Sequence, residues 1–141
     1  MRKIAVVYWS GTGNTEAMAA AVADGARNKG AEAALLTASE FGADQVADFD
    51  AIAFGCPAMG AEALEEDEFE PTFSACESQL DGKKIALFGS YGWGDGEWMR
   101  SWEERCADDG IARAAESVIC QETPDEDVLH QCRDLGAALV Q

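Results

Sequence analysis

Between Ser10 and Thr15 the chain sets three hydroxyls (Ser10, Thr12, Thr15), one amide (Asn14) and two glycines (Gly11, Gly13) in consecutive positions. Such a segment can bind an anion without fixed positive charge. Glycines let backbone N–H groups approach closely, and a helix starting there adds partial positive charge. No lysine or arginine stands in the segment, so a phosphate held here would be held by neutral donors. A Walker loop would need Gly-Lys-Ser/Thr, and a dinucleotide fingerprint would need glycine or alanine where Glu16 stands. A Gly/Ser/Thr loop also serves as an ordinary turn and helix cap.

Two further loops narrow the choice. Gly55-Cys56-Pro57-Ala58-Met59-Gly60-Ala61-Glu62 places a polarizable methionine beside a glycine, which suits one face of an aromatic ligand. Gly60 tolerates positive φ and could let a peptide reverse its direction there. Ser90-Tyr91-Gly92-Trp93-Gly94-Asp95-Gly96 carries two aromatic rings among glycines, available to stack on a flat ligand. Read singly, the second loop is also an ordinary turn, and Trp93 could simply pack. Read together, one phosphate cradle and two aromatic or sulfur-bearing loops suggest a flavin with one phosphate.

The elements that must position these loops are legible from periodicity. Lys3 to Tyr8 is a β-rich run suited to a strand buried on both faces. An alanine-rich helix is expected from Thr15 to Asn28, stopped at Gly30. Further strands are expected at Ala33–Thr37, Asp50–Gly55, Lys84–Gly89 and Ala114–Cys120. Phe69, Phe73 and Cys76 mark a helix entered or broken at Pro71, and Trp98, Trp102 and Cys106 mark another. Val128, Cys132, Leu135 and Leu139 mark the last, started by Asp125. This alternation implies an α/β fold: a parallel sheet covered on both faces, with ligands bound beyond the carboxyl ends of its strands. The three loops follow the first, third and fourth strands.

Bulk properties remove several functional classes. The 141 residues are the length of one domain, with no internal repeat, linker or composition break, so residues 1–141 are read as a single domain. Ten basic against 27 acidic residues give a net charge of −17, which argues against nucleic-acid or anionic-membrane partners and favours basic protein partners. The same charge favours a monomer. The apolar run from Ile4 to Trp9 is too short for a membrane span. Met1-Arg2-Lys3 imitates the start of a signal peptide, but the apolar stretch ends too early, so a cytoplasmic location is expected. Five cysteines at irregular spacing, with no Cys-x-x-Cys, read as buried thiols. One histidine, His130, offers little for a metal site and is expected on the surface.

Tyr-Trp-Ser-Gly-Thr-Gly-Asn-Thr, Gly-Cys-Pro-Ala-Met-Gly and Leu-Phe-Gly-Ser-Tyr-Gly-Trp-Gly resemble the short-chain flavodoxins of anaerobic bacteria in order, wording and spacing, over essentially the whole chain. The resemblance implies a three-layer, doubly wound, five-stranded parallel sheet of order 2-1-3-4-5, and FMN as cofactor. It places the FMN phosphate on Ser10, Thr12, Asn14 and Thr15 with the backbone of Gly11 and Gly13. It sets Met59 on the inner face of the flavin ring, Trp93 on the outer face, and Glu62 as the carboxylate that accepts from the flavin N3–H. Pro57, Ala58, Ser90, Tyr91, Gly92 and Gly94 complete the expected cofactor contacts. Gly60-Ala61 matches the peptide that reorients on one-electron reduction, and Ala61 accepts a positive-φ turn less readily than glycine would.

The implied function is that of a low-potential one-electron carrier, cycling between semiquinone and hydroquinone and shuttling electrons between redox proteins with basic docking surfaces; it is not an enzyme. Glu62, Glu65, Glu66, Asp67, Glu68 and Glu70 crowd the proposed ring site. At ~10 Å each carboxylate would oppose an added electron by roughly 0.4–0.8 kcal/mol, on the order of 20–35 mV. Two alternatives share the expected architecture or cofactor. An FMN-dependent reductase would need a substrate cavity for which the chain has little spare length, and a carrier dedicated to one enzyme is a narrower version of the same reading. A signalling receiver domain would need acidic residues where Trp9-Ser10 and Gly55-Cys56 stand.

Overall fold

The computed structural model describes residues 2–60, 63–92 and 94–140. Five strands, β1 (Lys3–Tyr8), β2 (Glu32–Thr37), β3 (Ala51–Gly55), β4 (Lys84–Tyr91) and β5 (Val118–Gln121), form one parallel sheet of order β2-β1-β3-β4-β5. The register sets Val6 between Leu35 and Ala53, and Phe54 beside Leu87. β1 and β3 are central, which explains why their sequences are apolar on both faces. Ala5 and Val7 point into one core layer, while Ile4, Val6 and Tyr8 point into the other.

Helices α1 (Asn14–Asn28) and α4 (Glu126–Ala138) cover one face, and α2 (Phe69–Glu77) and α3 (Glu97–Asp108) the other. α1 ends where expected: Gly30 adopts φ +88° just past its last turn. Asp125 caps α4, its Oδ1 accepting from the Val128 N–H at 2.9 Å. Pro71 is the third residue of α2, where its missing N–H breaks no helical bond, so it enters the helix rather than breaking it. All five cysteines are buried, free thiols, and His130 is exposed.

Two expectations need correction. β4 runs on to Tyr91, so Ser90 and Tyr91, expected in the loop after Gly89, pair with Cys120 and Gln121 and close the strand. β5 begins at Val118, not Ala114; upstream, Arg113 makes an isolated bridge with Ile85, and the Ala114 N–H donates to the Ile85 carbonyl at 2.8 Å. Between β2 and β3 the segment from 38 to 48 holds two short 3₁₀ turns, Ala38–Glu40 and Ala43–Asp48. Glu40 accepts from the Thr37 N–H at 2.8 Å and Gln45 from the Gly42 N–H at 2.9 Å.

Candidate functional site

Over the carboxyl ends of β1, β3 and β4, three loops enclose a cleft of about 340 Å³. Trp9, Gly11, Thr12 and Asn14 line it around the first loop, Pro57, Ala58 and Met59 from the second, and Ser90 and Tyr91 from the end of β4, with Gly92 just beyond. Glu122, just beyond β5, closes the side. Ser10, Gly13, Thr15, Gly60 and Gly94 are not among the lining residues. The expected contacts Ala61, Glu62 and Trp93 lie outside the described residues.

The first loop is organised by its own hydroxyls. Ser10 Oγ accepts from the N–H groups of Gly13 (3.1 Å) and Glu16 (3.3 Å), so it caps α1 from within the loop. Gly13 adopts φ +95°, a conformation that disfavours any side chain. Thr15 is buried, with its Oγ1 2.8 Å from Ser90 Oγ, and this bond ties the start of α1 to the end of β4. Ser10 and Gly13 also face a neighbouring polar cavity of about 480 Å³ that includes Tyr8 and Glu16. The Tyr8 hydroxyl donates to Glu16 at 3.2 Å; burial first, and that carboxylate second, raise the Tyr8 pKa.

The second and third loops are joined by their backbones. The Ala58 N–H donates to the Ser90 carbonyl at 3.0 Å, and Met59 and Ala63 pair across a small hairpin, Met59 N–H to Ala63 carbonyl at 2.9 Å. Gly60 does not use the positive φ expected of it, whereas Gly94 does, at +90°. The hairpin is anchored by Glu65, which is 5% exposed. Its carboxylate accepts from the N–H groups of Asp67, Glu68 and Phe69, all at 2.8 Å. Burial pushes this carboxyl up, but the three amides outweigh it and hold its pKa below the ordinary carboxylate value.

Three residues that matter here escaped the sequence reading. Trp9 forms part of the cleft wall, and its ring lies 3.1 Å from where a Gly11 Cβ would stand. Glu122 adopts φ +62°, and its N–H donates to the Tyr91 carbonyl at 2.7 Å, fixing β5's exit to the third loop. Glu65 was counted only as one of six acids. The available signal for Glu122 was its place just beyond a sheet-edge strand; Glu65 left none that separated it from its neighbours.

The acidic cluster is therefore not uniform. Glu65 is turned into backbone amides, and Glu70 makes an ion pair with Arg105 at 2.7 Å, which lowers its pKa. Glu66, Asp67 and Glu68 remain exposed. Among the described residues, no lysine or arginine lines the cleft. Neutral donors gather at the head of α1, and a thioether and aromatic walls gather beside them. This donor set fits a monophosphate joined to a flat ring: polar hydroxyls and amides for one end, apolar surface for the other.

Fold and cleft together define a doubly wound α/β protein of the mononucleotide-binding type. The family model described as Flavodoxin matches residues 6–136. The flavodoxin of Megasphaera elsdenii is 45% identical over 135 residues, covering 96% of both chains, and that of Clostridium beijerinckii is 47% identical over 121 residues, covering 86% of this chain and 88% of the other. The solution structure of two-electron reduced Megasphaera elsdenii flavodoxin superposes with a TM-score of 0.89 at 44% identity, covering 97% of this chain and 98% of that one. The chain belongs to the flavodoxin family. It is an FMN-binding, low-potential electron carrier, not an enzyme.

Proposed function

We propose that FMN lies in the cleft described above, with its phosphate at Ser10, Gly11, Thr12, Gly13, Asn14 and Thr15. Its ring is then bordered by Pro57, Ala58, Met59, Gly60, Ala61 and Glu62 on one side and by Ser90, Tyr91, Gly92, Trp93 and Gly94 on the other. The observation that carries this reading is the convergence of three loops on one cleft, with neutral donors at one end and aromatic walls at the other. FMN supplies electron uptake and release. The chain's residues hold the phosphate by backbone and hydroxyl donors, keep water from the ring with Met59 and Tyr91, and set its potential through nearby charge.

In the same reading, residues 1–141 form a single domain that works as a cytoplasmic monomer. Among the described residues no helix is long and apolar enough to cross a membrane. The exposed carboxylates Glu66, Asp67 and Glu68 favour redox partners with basic docking surfaces. Several of the chain's own cations, Lys3, Lys83, Lys84 and Arg113, cluster instead at the amino ends of the strands.

Titration of cofactor-free protein with FMN and with riboflavin tests the placement. If the first loop holds the phosphate through several hydrogen bonds of about 1 kcal/mol each, riboflavin binds roughly a hundredfold more weakly. Thr12→Val then weakens FMN binding but leaves riboflavin binding unchanged. Equal loss for both ligands, or equal affinity for them in the unaltered protein, contradicts the assignment.

A further inference from the structure

Directly beneath the cleft, where the chain leaves β3, Cys56 is fully buried with every polar atom engaged. Its N–H donates to the Phe88 carbonyl at 3.1 Å, and its thiol accepts from the Glu65 N–H at 3.3 Å. Its carbonyl accepts from the Trp98 indole N–H at 3.1 Å. Gly89 makes room for this arrangement: a Cβ there would stand 2.2 Å from the Cys56 carbonyl oxygen and 3.1 Å from the Trp98 ring. The same Trp98 packs against Tyr91, with ring centroids 5.4 Å apart and planes tilted by 48°. One side chain of α3, 1% exposed, therefore touches the roots of both loops assigned to the ring.

We propose that Trp98 is a positioning residue for bound FMN, holding the loop after β3 and the loop after β4 at a fixed separation. The inference rests on the ring placement proposed above. Behind the Met59–Ala63 hairpin lies a groove, about 200 Å³, whose walls include Ala63, Leu64, Trp98 and Trp102. The hairpin is therefore not backed by continuous packing. It is held at its roots, by Glu65 on one side and by the Trp98–Cys56 bond on the other. A buried carbonyl that loses its donor moves or takes in water, and Pro57, Ala58 and Met59 follow it directly along the chain. Tyr91, packed on the same ring, responds to any resettling of residue 98.

Trp102, one turn further along α3, supplies the comparison. It is 2% exposed and packs edge-on against Phe69 and Phe73, yet its indole N–H has no hydrogen-bond partner. Trp98→Phe and Trp102→Phe thus remove similar aromatic bulk, but only the first removes a bond to a ring-bearing loop.

The experiment measures three quantities for each FMN-loaded variant: FMN dissociation constant, both one-electron potentials, and urea midpoint. Trp98→Phe is expected to weaken FMN binding about tenfold, equivalent to about 1.4 kcal/mol. It should do so about threefold unequally between oxidation states, a shift of about 28 mV at 59 mV per tenfold. Trp102→Phe is expected to lower the urea midpoint while leaving affinity and potentials unchanged. If both variants lose stability and neither changes affinity or potential, Trp98 is merely structural and the inference fails. A Met59→Ala variant separates the two readings: lost affinity there with none in Trp98→Phe overturns this inference alone, and no loss in either overturns the ring placement as well. Should Trp98→Phe not fold, the unaltered protein still decides. The Trp98 indole N–H resonance must shift on FMN binding and again on reduction by more than that of Trp102; equal shifts overturn the proposal.

Discussion

The two helical layers solve the same packing problem with opposite materials. The layer under α1 and α4 is rich in alanine, and where the two helices meet, glycines bring their backbones into direct contact. A Cβ on Gly25 would stand 1.9 Å from the Arg133 carbonyl oxygen, and one on Gly136 would stand 1.9 Å from that of Val22. Between α2, α3 and the sheet the core is aromatic. Phe69 and Phe73 stack with planes 11° apart, and both meet Phe54 and Trp102 edge to face, the closest pair, Phe54 and Phe73, with centroids 5.0 Å apart. The small-residue layer carries the head of α1, where the phosphate loop must keep one shape. The aromatic layer backs the hairpin and the third loop, and a groove of about 200 Å³ opens to solvent between the hairpin and α3. Backbone-on-backbone packing leaves no slack; large rings joined at edges leave gaps that can be redistributed.

Substitutions in each layer can break this contrast. The largest effect is expected from Phe73→Ala, which removes contacts to Phe54, Phe69, Trp102 and Arg105 and should cost about 3–5 kcal/mol in urea unfolding. Phe73→Leu should recover most of that loss, because the layer can repack; a loss as large as that of alanine would refute its adaptability. Gly25→Ala adds a single carbon to the other layer, yet should cost about 3 kcal/mol, the upper range for overpacking, since carbonyl backbone cannot move aside. A cost below about 1 kcal/mol there would show that α1 and α4 can separate after all.

Glu65→Gln is expected to cost about 1.5–3 kcal/mol at neutral pH, by replacing a charged acceptor of three amides with a neutral one. Its pH dependence has a definite sign. The folded pKa lies below the ordinary glutamate value of 4.5, so the unfolded chain binds the proton first as the solution is acidified. The stabilisation is complete above about pH 4.5 and is lost as the pH falls through the lower folded value. The difference between unaltered protein and Glu65→Gln should therefore shrink in acid, and a constant difference would contradict the assignment. The smallest effect is expected at Ala61→Gly. If residue 61 enters the positive-φ turn proposed for it, glycine there relieves about 1 kcal/mol, or on the order of 40 mV in the one-electron potentials. Unchanged potentials would mean that residue 61 does not limit the turn.

The sheet was legible because its signals are local. β1, β3 and β4 are apolar runs ended by glycine, serine or threonine, and buried strands need little else. β5 was placed too early because an apolar stretch shows which residues can be buried, not where an edge strand begins to pair; Ser117 and the residues before it have moved off the ladder. The cleft was legible for the same reason as β1: Gly11, Thr12, Asn14, Met59 and Tyr91 sit beside strand ends that periodicity had fixed. Glu65 and Trp98 were not, because their importance lies in partners distant in the chain or in backbone amides that carry no residue signature. Charge counting treated six acids alike, whereas folding turned Glu65 inward and paired Glu70 with Arg105.

The buried thiols divide between the layers, Cys56, Cys76 and Cys106 in the aromatic one, Cys120 and Cys132 in the small-residue one. Burial pushes Cys76 and Cys106 up to about 11, and Cys56 and Cys132 to about 12. At neutral pH fewer than about one in a thousand of these groups is ionised, and only the ionised form attacks an alkylating reagent. Each cysteine is thus a silent clock that starts when its layer opens. Because the two sets sit on opposite sides of the sheet, the order in which they are alkylated would show which half of the molecule breathes first.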